Sequence, residues 1–387
     1  MKCIKCDADN NLKERTESNG RCKNCQHPFV FDPKVTAGVD FTDKFFQQTL
    51  SNISLNDSLF FTPRQFYYFF NQRRNAKRID PLKILGGVAI FVAIPLTFLL
   101  LFTGPLFCIF SILPFMLVAL GIALLASPAL RQRMRGVKPQ TLTATEREVE
   151  GWYRRWCEVN GASVKQLPDL PSATRRAFQA LKINPEVKNY SFDRVVICDR
   201  PEIAQCLIAN NFHFEHNCAV LSVDGYPHDI FQTVMEMLRR NPALSVYALH
   251  DASAEGVELT HRLRTEQRWF AGSDVAIYDL GLLPRQIFNR AVFVENAAAQ
   301  RAHAGGRGIP PQVAATLQPA EVGWLEAGNY VSLESFTPQT LIRVVAQGIA
   351  KSRDPQAGDA LVPVDGGDGG GGYGGGGVFI YTSDSFG

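Results

Sequence analysis

Cys3-Ile-Lys-Cys6 and Cys22-Lys-Asn-Cys25 are two C-x2-C pairs with 15 residues between them. Each pair makes a tight turn that aims two thiolates at one point. Two such turns complete the tetrahedral sulfur shell that zinc prefers. With thiolate at Cys3, Cys6, Cys22 and Cys25, no position is left open for a catalytic water, so the expected role of Zn2+ is structural. A segment below about 40 residues cannot build a stable apolar core unaided, and the metal would supply the folding energy. The other five cysteines are scattered singly. That is the usage of a reducing compartment and not of a disulfide framework.

A second chemistry is written in carboxylates. Asp199, Asp224 and Asp251 each follow a short apolar run, at Arg194–Cys198, Ala219–Val223 and Leu244–Leu249. Helical stretches separate these runs at Glu202–Asn210, His228–Arg240 and Glu255–Arg268. Strands alternating with helices predict an α/β fold with a parallel sheet and right-handed crossovers. Ligands of such sheets bind beyond the carboxyl ends of the strands, and carboxylates gathered there suggest Mg2+. His213, His216 and Cys218 also have metal-ligand types, but H-x2-H between a helix and a strand reads as a solvated loop.

These two sites must be held by several units. Residues 1–35 read as a zinc ribbon. Residues 36–83 are rich in aromatics and end in Arg73, Arg74, Lys77, Arg78 and Lys83. Within them Thr62-Pro63-Arg64-Gln65 predicts a helix start, with Thr as N-cap, Pro first inside and Gln third. Aromatics beside a basic run suit a lipid headgroup region, or else a helical hairpin packed on the ribbon or the C-terminal domain. No ionisable residue falls between Lys83 and Arg131. A bilayer core takes roughly 20 apolar residues per helix, so 84–130 predicts two spans, 84–103 and 106–127, turning at Gly104-Pro105. Basic residues flank both ends, including Arg131, Arg133, Arg135 and Lys138. The expectation is a two-pass inner-membrane protein with both termini cytoplasmic. Residues 139–189 form a helical linker, with a helix at Thr145–Val159, and 351–387 a flexible tail with ten glycines between Gly366 and Gly377. Overall charge is +3, yet Tyr190 to Ala350 holds 12 Arg, no Lys and 17 Asp plus Glu, a net of −5. An acidic domain is a poor general binder of nucleic acid.

The run VLSVDGYPHDIFQTVMEMLRRNPALSVYALHDASAEGVEL at 220–259 resembles the Toprim domain of the topoisomerase VI A-subunit and meiotic break-forming family. Gly281-Leu282-Leu283-Pro284 looks like that family's G-L-x-P turn. Trp324-Leu325-Glu326 and Ser332-Leu333-Glu334-Ser335 look like its closing segments. The resemblance covers about residues 190–350 and implies a Toprim-like Rossmannoid sheet with a Mg2+ site for phosphodiester chemistry. It places Asp199 at the family's catalytic Glu and Asp251 at the first acid of its D-x-D. Ser253 replaces the second acid, Asp224 falls where a Lys is usual, and Glu258 matches an acid that follows the family's Gly. The strand-breaking Tyr and its winged-helix domain have no counterpart in residues 139–189, and neither Tyr153 nor Tyr190 takes that role. Strand passage is therefore excluded.

The resemblance implies a module that binds a phosphate, nucleotide or nucleic acid, with a degenerate Mg2+ site on Asp199 and Asp251. Its catalytic candidates are Asp199, Asp251, Ser253 and Glu258. The alternatives are an active Mg2+-dependent phosphodiester hydrolase at the membrane, or a membrane scaffold with an inert fold. Partners expected besides the bilayer are a nucleotide or nucleic acid, and a protein bound through the ribbon or the Gly-rich tail.

Overall fold

The computed structural model describes residues 1–76, 139–170 and 193–352, apart from 37, 229–230, 242–243, 289 and 299–307, and a few positions between 85 and 122. The linker from 171 to 192 and the Gly-rich tail from 353 onward lie outside the described residues. So do Lys77, Arg78 and Lys83, and Arg131 to Lys138 with their basic residues.

The ribbon is a repeated turn. Asp7 N donates to Cys3 O and Gln26 N to Cys22 O, with Asp7 and Gln26 both at positive φ (54° and 58°). Bridges Lys2↔Asp9 and Arg21↔Pro28 close the two halves in the same way. Helix α1 (Leu12–Glu17) joins them through a capping box of Asn11 and Glu14. Its Arg15 forms a buried ion pair with Asp32, 2.7 Å from Nε to Oδ2.

Helices α2 (Asp43–Ile53), α3 (Pro63–Ala76) and α4 (Glu146–Asn160) pack around one aromatic core. Asp43, in the first turn of α2, accepts from the amides of Val30 and Phe31 and so pins the ribbon exit. That buries Phe31 against Phe41, Phe46 and Trp156. The aromatic residues thus serve as core, where each buried ring removes roughly 150–250 Å² from water. Helix α3 begins where the sequence places it: Gln65 N donates to Thr62 Oγ1, and Thr62 N donates to Gln65 Oε1.

The C-terminal half holds four parallel strands in the order β2-β1-β3-β4: β1 (Arg194–Cys198), β2 (Ala219–Ser222), β3 (Ser245–Leu249) and β4 (Ala276–Asp279). This is the α/β parallel sheet expected. Strands β1 and β3 are covered on both faces, which is why they read as continuous apolar runs. Side-chain alternation sends Val196, Cys198 and Leu249 to one face, under α5 (Pro201–Ala209) and α9 (Pro338–Lys351). Val195, Ile197 and Val246 face α6 (Phe231–Arg239) and α7 (Leu259–Thr265) on the other. The long helix expected at Glu255–Arg268 is instead a single turn, Ala254–Val257, followed by α7. Strand β4 is an element the alternation did not reveal. A small antiparallel pair, β5 (Glu295–Asn296) with β6 (Asn329–Tyr330), and helix α8 (Pro319–Glu326) complete this half.

The two halves meet at the start of α3. Phe60 N donates to Asn210 Oδ1 and Thr62 Oγ1 to Glu334 Oε1 (2.7 Å), and Gln65 Nε2 donates to Phe336 O. Arg64 reaches Glu295 at 3.0 Å and the Tyr330 hydroxyl at 3.3 Å, while the Tyr68 hydroxyl donates to Glu295.

One expectation is corrected. No helix among the described residues is long and apolar enough to cross a membrane. The longest, α4, has 15 residues, and a crossing takes about 20. The two-pass inner-membrane placement and the bilayer partner are therefore withdrawn. The hairpin proposed over 84–103 and 106–127 falls for the most part outside the described residues.

Candidate functional site

The first candidate is the thiolate cluster. The Sγ atoms of Cys3, Cys6, Cys22 and Cys25 all lie within 4.8 Å of one another. Cys3 to Cys25 and Cys6 to Cys22 are both 3.6 Å. A tetrahedron with metal–sulfur bonds of about 2.3 Å has edges of about 3.8 Å, so the donor set fits zinc. Burial raises the Cys22 thiol, but amides of Cys25 and Asn24 and the side chain of Asn10 outweigh it and bring it to about 6. The second turn thus favours the thiolate a metal needs at Cys22, whereas burial pushes the Cys3 thiol up to about 12.

The second candidate is a cleft of about 400 Å³ beyond the carboxyl ends of β1 and β3. Its wall includes Asp199, Arg200, Asp251, Ser253, Arg262 and Tyr330. Asp199 directly follows β1, and Asp251 lies two residues past β3. The parallel register of these neighbouring strands brings the two acids together, and Asp251 N donates to Asp199 Oδ2 at 2.7 Å. Asp251 is 4% exposed, and its Oδ1 accepts from Leu333 N (2.6 Å) and Ser332 Oγ (3.5 Å). Asp199 Oδ1 is buried with no hydrogen-bond partner among the described residues. Burial first, and the Asp251 carboxylate second, push Asp199 up to about 8. Burial and the neighbouring carboxylate thus both favour the protonated form of Asp199.

Arg200 runs between carboxylates. Its Nε is 3.6 Å from Glu202 Oε2, Nη1 is 3.6 Å from Asp251 Oδ2, and Nη2 is 3.7 Å from Glu334 Oε2. Glu334 is 1% exposed, and burial lifts its carboxyl to about 7 although Arg200 and Thr62 pull it down. Behind the cleft, His250 is fully buried, with Nδ1 2.8 Å from Asp251 O and Nε2 3.0 Å from Asp279 Oδ1. Burial lowers this imidazole, but Asp279 more than compensates and raises it to about 9. The ring leaves no room at Gly281, where a Cβ would fall 2.1 Å from it.

The other sequence candidates are less central. Ser253 caps the Ala254–Val257 turn by accepting from Gly256 N at 2.9 Å, so its hydroxyl is already engaged. Gly256 is required there, since a Cβ would sit 2.2 Å from Asp251 O. Glu258 stands between that turn and α7, outside the cleft wall, which takes Glu255 instead. Asp224 is exposed, and Val223 lines the cleft in its place. His213, His216 and Cys218 do not join any metal-sized cluster among the described residues. Tyr153 accepts from Ser163 N within the aromatic core.

The donor set of the cleft does not fit a resident Mg2+. That ion asks for an octahedron of oxygens at about 2.0–2.1 Å. Here Asp251 is already held by an amide, a hydroxyl and Arg200, and Ser253 is spent on its cap. Asp251 Oδ2 faces the Arg200 guanidinium at 3.6 Å, which leaves a second cation beside it unfavourable. Sequence reasoning missed Arg200, His250, Asp279 and Tyr330 as site residues. Asp279 carried a signal it shares with Asp199, an acid closing an apolar run.

No family model matches this chain, and no curated protein does. Its function must be argued from its own residues.

Proposed function

We propose that the cleft is a diverged, Toprim-like binding site for the phosphate of a nucleotide or nucleic acid, without strand-breaking activity, and that the four cysteines hold a structural Zn2+. The observation that carries the reading is the placement of two guanidiniums, Arg200 and Arg262, in the wall of one cleft at the strand ends, Arg262 being steadied by Glu266 at 2.8 Å. Guanidinium is the side chain best matched to phosphate oxygens, and burial that favours the neutral form of Asp199 lessens the repulsion of an anion. The volume of about 400 Å³ suits a mononucleotide, with Tyr330, Val223 and Leu259 as apolar wall. The Toprim-like part of the reading is supported by acids following two adjacent parallel strands, Asp199 after β1 and Asp251 after β3.

The test is titration of the full chain with a fluorescent nucleoside triphosphate, competed by pyrophosphate. Arg262→Ala should weaken binding roughly tenfold, the scale of one charge-assisted contact. Absence of binding by the wild type, or cleavage of DNA abolished by Asp251→Ala, overturns the reading.

A further inference from the structure

We infer that Arg200 is the resident cation of this cleft, a guanidinium built into the chain at the place where a divalent metal would otherwise gather the acids. Three carboxylates from three separate elements converge on it. Glu202 comes from the first turn of α5, Asp251 from the loop after β3, and Glu334 from the 3-10 turn at Leu333–Ser335. All three approach to 3.6–3.7 Å and none to hydrogen-bond distance. These are ion-pair separations, longer than hydrogen bonds, and they set one guanidinium among three acids that would otherwise repel one another.

The unpartnered atoms point the same way. Glu334 Oε2 and Glu202 Oε2 are buried and have no hydrogen-bond partner among the described residues. Each of these oxygens faces Arg200, and a buried carboxylate oxygen without compensation is costly. Arg200 is also the N-cap residue of α5, directly before Pro201, so its backbone is anchored next to Asp199. Glu334 in turn accepts from Thr62, so the same cation neutralises the carboxylate that joins the two halves of the molecule. This inference concerns the cation alone and does not depend on whether the cleft takes a nucleotide.

The experiment is Mn2+ binding to the full chain, read by electron paramagnetic resonance. The wild type should show no site that depends on Asp251. Arg200→Ala should bind one Mn2+ at least roughly tenfold more tightly than the wild type, since it restores net negative charge to the acids. Arg200→Ala combined with Asp251→Asn should lose that binding again. Arg200→Lys keeps a cation and should remain without Mn2+. If Arg200→Ala does not fold alone, Mn2+ should restore its thermal transition, and failure to do so overturns the inference. Wild-type binding of Mn2+ that Asp251→Asn abolishes overturns it as well, as does a folded Arg200→Ala that binds none. A nucleotide-binding failure would leave these outcomes unchanged, so the two proposals fail separately.

Discussion

The thiolate cluster and the acid cleft solve the same problem in opposite ways. Both bring several ionisable groups together. In the ribbon the four ligands come from two nearly identical turns within 25 residues, and the shared charge calls for an external metal. In the cleft the ionisable groups come from positions 199, 200, 202, 251 and 334, and an internal guanidinium lies among the acids. A local cluster can leave its counter-charge to solution because the turns recreate the geometry by themselves. A dispersed cluster needs its counter-charge supplied by the chain, since nothing but the finished fold holds it in place.

The strongest way to break that contrast is to take away the ribbon's metal. Chelation, or Cys22→Ser, should unfold residues 1–35, because a structural zinc of this kind supplies on the order of 10 kcal/mol. Metal analysis should find one zinc per chain, and limited proteolysis should then cut the ribbon while the parallel sheet stays protected. Less than one metal per folded chain would end the comparison. In the cleft, His250→Ala should cost about 2–3 kcal/mol in urea unfolding, because a fully buried ring and its bond to Asp279 are lost while Asp279 keeps the Gly281 amide.

A smaller effect, of opposite sign, belongs to Asp199. Its folded value of about 8 lies above the ordinary 3.8, so the native state holds a proton that the unfolded chain releases. The stability this confers is fully present below about pH 3.8 and is lost as pH rises through 8. Asp199→Asn should therefore match the wild type near pH 4. It should exceed it by on the order of 2 kcal/mol above pH 8, where the charged, unpartnered oxygen is most costly. Urea midpoints at the two pH values decide it, and equal midpoints at high pH would refute a raised carboxyl. The smallest change is Thr62→Val, which removes a cap and the bond to Glu334. It should cost about 1 kcal/mol by the same melts.

Legibility follows the same divide. Cys3, Cys6, Cys22 and Cys25 could be grouped from spacing alone, because a C-x2-C turn is a local object. The cap at Thr62 and Gln65 and the strand at Arg194–Cys198 were legible for the same reason. Asp199 and Asp251 could be placed at strand ends, since a parallel sheet fixes where its strands terminate. What they touch could not be read. The partners of Arg200 depend on how β6 and the turn after it fold back over the sheet, and no periodicity encodes that. His250 looked like an ordinary strand-end residue because β4, which carries Asp279, was not foreseen. Composition reaches no further: the uncharged block from 84 to 130 reads as two spans, no helix among the described residues meets that requirement, and most of the block lies outside them.

The bond between Thr62 and Glu334 joins residues 272 positions apart. At roughly 5–20 residues per second of synthesis, Thr62 leaves the ribosome on the order of tens of seconds before Glu334 exists. Most of the contacts of the ribbon and the aromatic core lie between residues 1 and 156, so they can form once residue 156 has emerged and well before Glu334 exists. The start of α3 is then a preassembled dock, and the last turn of the cleft to be translated closes onto it. Assembly in that order makes the N-terminal half a template for the site, and a chain begun after residue 62 would have to build its cleft without one.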